Sequence, residues 1–179
     1  MTITRMALAV WLTAAVSHGR ETVQKLTIRI HYGNIDRLAI GPLAQYLATR
    51  MFSDAGISVT WKGRESGDGG SGPPIVIEVV DETGPELMPG VLAYSELGRG
   101  RITVFLDRVE RLENPAIVLA HVLVHEITHV VEGISRHSDS GVMKARWTGR
   151  DYSEMRVRPL GFAPEDLELI REGLSKRRV

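Results

Sequence analysis

Along the chain, apolar side chains first alternate with polar ones and later recur every three to four positions, and these two rhythms separate strands from helices. Lys25-Leu-Thr-Ile-Arg-Ile-His31 alternates at period two, which predicts a half-buried strand ended by Gly33 and Asn34. From Gly41-Pro42 to Ala55, the spacing of Leu43, Tyr46, Leu47, Arg50 and Met51 predicts a helix. Pro42 suits its first turn and Gly56 its end. Ile57, Val59 and Trp61 then form the inward face of a second strand. Strand, helix, strand predicts a crossover that sets the two strands parallel.

Gly63 to Pro74 is rich in glycine and proline and reads as a mobile surface loop. A calcium loop around Asp68 is disfavoured, because oxygen ligands are not regularly spaced there. Ile75-Val-Ile-Glu-Val-Val80 is a third strand; Gly90 to Ser95 and Ile102 to Leu106 are two more, antiparallel because the short Gly98-Arg-Gly100 turn joins them. Asn114-Pro115 starts a helix that runs to Glu132, with Asn114 capping the free amides and Gly133 ending it. Its middle, Ile117 to Val131, is apolar on nearly every side, so this helix is expected to be buried. From Pro164 onward, Glu165 and Asp166 in the first turn and Lys176, Arg177 and Arg178 in the last complement a helix dipole. Leu167, Ile170 and Leu174 give that helix a packing stripe, and it is expected to close the fold without taking part in chemistry. Strands gathered first and helices after make the class α+β.

Composition narrows the function. A chain of 179 residues suits one domain with a full hydrophobic core. Lys plus Arg and Asp plus Glu balance at 22 each, so charge gives no reason to expect nucleic acid or an anionic surface as partner. There are no cysteines, which excludes disulfides, thiol catalysis and Cys-ligated metal. At the N-terminus, Arg5 precedes the apolar run Met6 to Val16, followed by Ser17, His18 and Gly19. That layout predicts a secretory signal peptide over residues 1–19, ahead of one domain at 20–179. The run falls short of the about 20 residues a membrane span needs. The expectation is a secreted or periplasmic protein with no stable membrane insertion after signal cleavage. Nothing in the pattern specifies oligomeric state.

The chemistry sits inside the apolar helix. His125-Glu126-Ile-Thr-His129 is an H-E-x-x-H motif, and residues four apart on a helix stand one turn above each other on one face. Two imidazoles can therefore aim at one zinc ion, while Glu126 borders the same cleft as general base for a water molecule attacking a peptide bond. Two histidines and a glutamate in an apolar helix are costly unless something satisfies them, and a metal with its water does so. A third ligand must come from elsewhere.

Downstream, Gly133-Ile-Ser-Arg-His137-Ser-Asp-Ser-Gly-Val-Met143 resembles the metzincin clan of zinc proteases, particularly its matrixin-like branch. That clan carries H-E-x-x-H-x-x-G-x-x-H and then a tight turn whose methionine lies beneath the metal. The resemblance implies His137 as third zinc ligand and Met143 as the turn methionine; Asp139 and Glu154 stand beside His137 as competing candidates for the third ligand. It also implies a metzincin-like fold: a mixed, mostly parallel sheet with an antiparallel edge strand at Gly90 to Ser95 that binds extended peptide, a buried active-site helix, and a small C-terminal subdomain ending in a helix. The motif here is longer, with three residues between His129 and Gly133 and the third histidine two positions late. No cysteine serves a matrixin-style latency switch, and no histidine cluster suggests a second, structural zinc. Glu154 lies in Tyr152-Ser-Glu-Met-Arg156, which lacks a helical pattern. His121, one turn before His125, reads as a hydrogen-bonded core histidine, and Trp147 as a wall of the substrate cleft or a packed aromatic. The function implied is zinc-dependent endopeptidase acting on peptide or protein; the alternative is a zinc-binding adhesion or binding domain of the same fold that has lost catalysis.

Overall fold

The structure is a computed structural model that describes residues 24–33, 40–63 and 74–177. The signal peptide read at 1–19 and most of the loop read at Gly63 to Pro74, including Asp68, lie outside the described residues.

Among the described residues, five strands form one sheet: β1 (Gln24–His31), β2 (Ile57–Lys62), β3 (Ile75–Val80), β4 (Ala93–Glu96) and β5 (Arg101–Phe105), in the spatial order β2-β1-β3-β5-β4. β1 runs parallel to β2 and β3, and β3 parallel to β5. Only β4, at the edge, is antiparallel, pairing Ser95 with Ile102. The class is α+β, as the patterning predicted, and the sheet is mixed and mostly parallel, as the resemblance implied. Period-two alternation puts Leu26, Ile28 and Ile30 on the buried side of β1, and Ile75, Ile77 and Val79 on that of β3. Each such fully buried aliphatic side chain contributes about 1.5–3 kcal/mol.

The helices are α1 (Gly41–Asp54), α2 (Leu106–Val109), α3 (Pro115–Glu132), α4 (Gly149–Met155) and α5 (Pro164–Lys176). α3 is the centre of the molecule: it packs on α1, β4, β5 and α5, and every residue from Val118 to Val131 is buried. By length and a mean hydropathy of 1.2 it could cross a membrane, yet 72% of it is buried inside the protein, so its apolar surface is core. Gly133 ends it at φ 72°, a left-handed conformation that only glycine adopts at little cost, and turns the chain back toward the helix middle.

The strand expected from Gly90 begins at Ala93, and Leu106 opens α2 instead of closing β5. Asn114 precedes α3 but adopts φ 56° and makes no side-chain cap, so the amides expected to bond its side chain do not. The segment around Glu154 is helical after all. Thr148 caps α4 in a reciprocal box with Asp151, a local signal stronger than the weak apolar periodicity of seven residues.

Gly173 brings α5 against α3. A Cβ there would lie 2.0 Å from the Val131 carbonyl oxygen, so no larger residue permits this approach.

Candidate metal centre

His125, Glu126 and His129 project from the middle of α3, and the chain returns past Gly133 to bring His137 opposite them. The Nδ1–H of His125 donates to the Val142 carbonyl at 2.9 Å, and that of His129 to the Ile134 carbonyl at 3.1 Å. Both bonds place the ring proton on Nδ1 and leave a lone pair on Nε2. The two Nε2 atoms then face each other at 3.0 Å with no proton between them. The His137 ring stands 5.3 Å from that of His125 and 4.9 Å from that of His129, centroid to centroid. One nitrogen from each ring lies within 4.8 Å of the others.

Burial and neighbouring groups favour the neutral form of the two rings on α3. Burial lowers the pKa of His125. Burial first, then the neighbouring imidazoles of His125 and His137, pushes His129 down to about 4. Converging imidazole nitrogen lone pairs oppose one another unless a cation sits among them, and three histidines with an open fourth position are a donor set that suits zinc. Among the described residues, no fourth metal-ligating group joins the cluster.

Glu126 lies on the same turn, 9% exposed, beside a cleft of about 480 Å³. Burial raises its carboxyl to about 7, opposed by a hydrogen bond with the Ser95 side chain. The chain pattern did not single out Ser95. It pairs with Ile102, whose side chain is 1% exposed, so a serine stands on the inward face of β4 where an apolar residue is expected. The mismatch emerges only from the β4–β5 register.

The cleft is bounded on one side by Met88 to Ala93, leading into edge strand β4, and on the other by Lys144 to Trp147. Trp147 lines it and meets the His125 ring edge-on at 5.8 Å. Lys144 is neutralised by Asp151 at 2.6 Å. Arg108, from α2, donates to the carbonyls of Met88 and Val91 at 2.7 Å and of Leu87 at 3.2 Å, tying down the first rim.

No family model matches the sequence, and no curated protein does. Among solved structures, the archaemetzincin of Methanopyrus kandleri superposes with a TM-score of 0.57 at 17% identity, covering 88% of this chain and 99% of that one. The fold is similar to that of archaemetzincin. At this identity the similarity concerns the path of the backbone alone.

The remaining candidates separate cleanly. Asp139 is exposed and outside the histidine cluster. Glu154 accepts from Arg158 at 3.0 and 2.8 Å and is also outside it. His121 is a satisfied core histidine: its Nδ1–H donates to the Ile117 carbonyl at 2.8 Å, and its Nε2 accepts from the Leu160 amide at 3.0 Å. Met143 is fully buried, and its carbonyl accepts from the Ser138 amide at 2.9 Å, closing the turn after His137.

Proposed function

We propose that this protein is a zinc-dependent endopeptidase of metzincin-like build, with His125, His129 and His137 as metal ligands and Glu126 as general base. The observation that carries the reading is the convergence of three imidazole nitrogens, two of whose rings line one cleft with the buried Glu126. The stretch from His137 to Met143 follows the matrixin-like layout, with Met143 as a structural turn residue.

Zinc, when bound, supplies Lewis acidity that polarises a carbonyl and makes water nucleophilic near neutral pH. The protein does the rest. Nδ1 bonds to Val142 and Ile134 orient two of the ligands. An extended peptide pairs its main chain with the edge that leads into β4, which places a carbonyl next to α3. Glu126 takes a proton from the attacking water and returns it to the departing amine; a carboxyl near 7 can do both at neutral pH. Ser95 holds the Glu126 carboxyl through this exchange.

Metal analysis and cleavage of a general protein substrate test the reading together. One zinc per chain with cleavage is expected, and Glu126→Gln should keep the zinc while lowering kcat about 10²- to 10⁴-fold. A wild type that holds zinc but cleaves nothing across a diverse peptide library supports the catalytically inactive binding domain instead. The same proposal includes export through residues 1–19: the mature chain in the extracellular or periplasmic fraction should begin at about Arg20.

A further inference from the structure

His137 comes from an exposed loop two positions later than the metzincin spacing requires, and what holds it in place is not on α3. Its two neighbours both reach Asp166, in the first turn of α5. The Ser138 hydroxyl donates to Asp166 Oδ1. Arg136 approaches the same oxygen with Nη1 at 3.4 Å and Nη2 at 3.3 Å, and donates from Nη1 to the Ser138 hydroxyl at 2.8 Å. Asp166 Oδ2 accepts the Ala163 amide at 2.9 Å, which locks the carboxylate to the start of its own helix. Asp166 is 0% exposed and Ser138 8%, whereas His137 between Arg136 and Ser138 is exposed.

We propose that Asp166 is the positioning residue for the third ligand: it clamps the chain on both sides of His137 so that this imidazole meets those of His125 and His129. The inference rests on the zinc-site reading above. The physical case is entropic and electrostatic. A ligand on a free loop loses conformational freedom on binding metal, whereas one held by charge-assisted bonds on both flanks loses it on folding. Asp166 is itself held because α5 is docked on α3 through Gly173, Ile170 and Leu174, so a rigid path joins the helix of the first two ligands to the loop of the third. The Val142 carbonyl that orients His125 belongs to the same turn, whose amide bonds Gly161 at 2.9 Å just before α5. α5 therefore serves the metal centre, contrary to its sequence reading as mere closure.

The test is zinc affinity by chelator competition, together with the visible spectrum of the cobalt-substituted protein, for wild type, His137→Ala, Asp166→Asn and Ser138→Ala. Ile28→Val, a core change in β1 that leaves α5 and Asp166 untouched, is the control. Asp166→Asn is expected to weaken zinc about 10- to 100-fold and shift the cobalt spectrum toward that of His137→Ala. Ser138→Ala should move both in the same direction by less, and Ile28→Val should lower the melting temperature without moving either. Wild-type affinity and spectrum in folded Asp166→Asn overturn the inference while the zinc site stands; if that variant does not fold, unchanged values in Ser138→Ala overturn it. A wild type that takes up no zinc overturns the zinc-site reading, and this inference with it.

Discussion

His125 and His129 hold their Nε2 atoms 3.0 Å apart while each Nδ1 is committed to a main-chain carbonyl. Zinc should relieve that opposition and stabilise the fold. At free zinc a thousandfold above Kd, the gain is about 4 kcal/mol, or roughly 10 °C in Tm for a domain of this size. Thermal melts with and without zinc check it: replacing any one of His125, His129 or His137 with Ala should remove most of the shift.

His121→Ala separates core from ligand. The substitution strips partners from the Ile117 carbonyl and the Leu160 amide and leaves a cavity, so a loss of about 2–4 kcal/mol is expected in chemical denaturation. Zinc stoichiometry should stay at one per chain. A fall to zero in protein that remains folded would make His121 a ligand.

Arg108→Gln should loosen the cleft rim without touching the metal. Three carbonyls lose a charged donor, each such bond being worth about 1.5–3 kcal/mol. Amides of residues 87–91 should exchange faster with deuterium, and KM for an extended peptide should rise about tenfold, while kcat and zinc affinity change little. A kcat loss with unchanged KM would remove Arg108 from substrate positioning.

Glu132 introduces a pH dependence of stability. Burial first, then the nearby Asp166 carboxylate, raises its carboxyl from an ordinary 4.5 to about 7, against the pull of Arg136. As pH rises, the unfolded chain loses this proton before the folded one, so stability falls between about 4.5 and 7 and levels off above. Glu132→Gln should therefore stabilise the protein at pH 8 and have no such effect at pH 4. Solvent screening of this partly buried group keeps the gain under about 1 kcal/mol. Equal effects at both pH values would show that the carboxyl does not titrate in this window.

The sheet and the central helix were legible because periodicity of two or 3.6 reports directly on one buried face, as it does in β1, β3 and α3. The zinc motif was legible for a related reason: helix geometry alone puts His125 and His129 on one face, so their partnership is local. α4 escaped because a seven-residue helix rests on its Thr148–Asp151 cap more than on any apolar stripe. Ser95 escaped because its importance lies in the β4–β5 register and in what α3 presents to it, neither of which is written in neighbouring residues.

From the order of residues alone came the α+β class, the parallel β1–β2 pair, the antiparallel edge, and the identity of the two helical histidines and Glu126. Each depends on contacts within a few residues or on one repeating face. Folding alone decided which of His137, Asp139 and Glu154 meets the other two histidines, since the loop after Gly133 permits several returns. Burial of Asp166 selects among them. A carboxylate removed from water must find its partners, and besides the Ala163 amide those it finds are the two residues flanking His137.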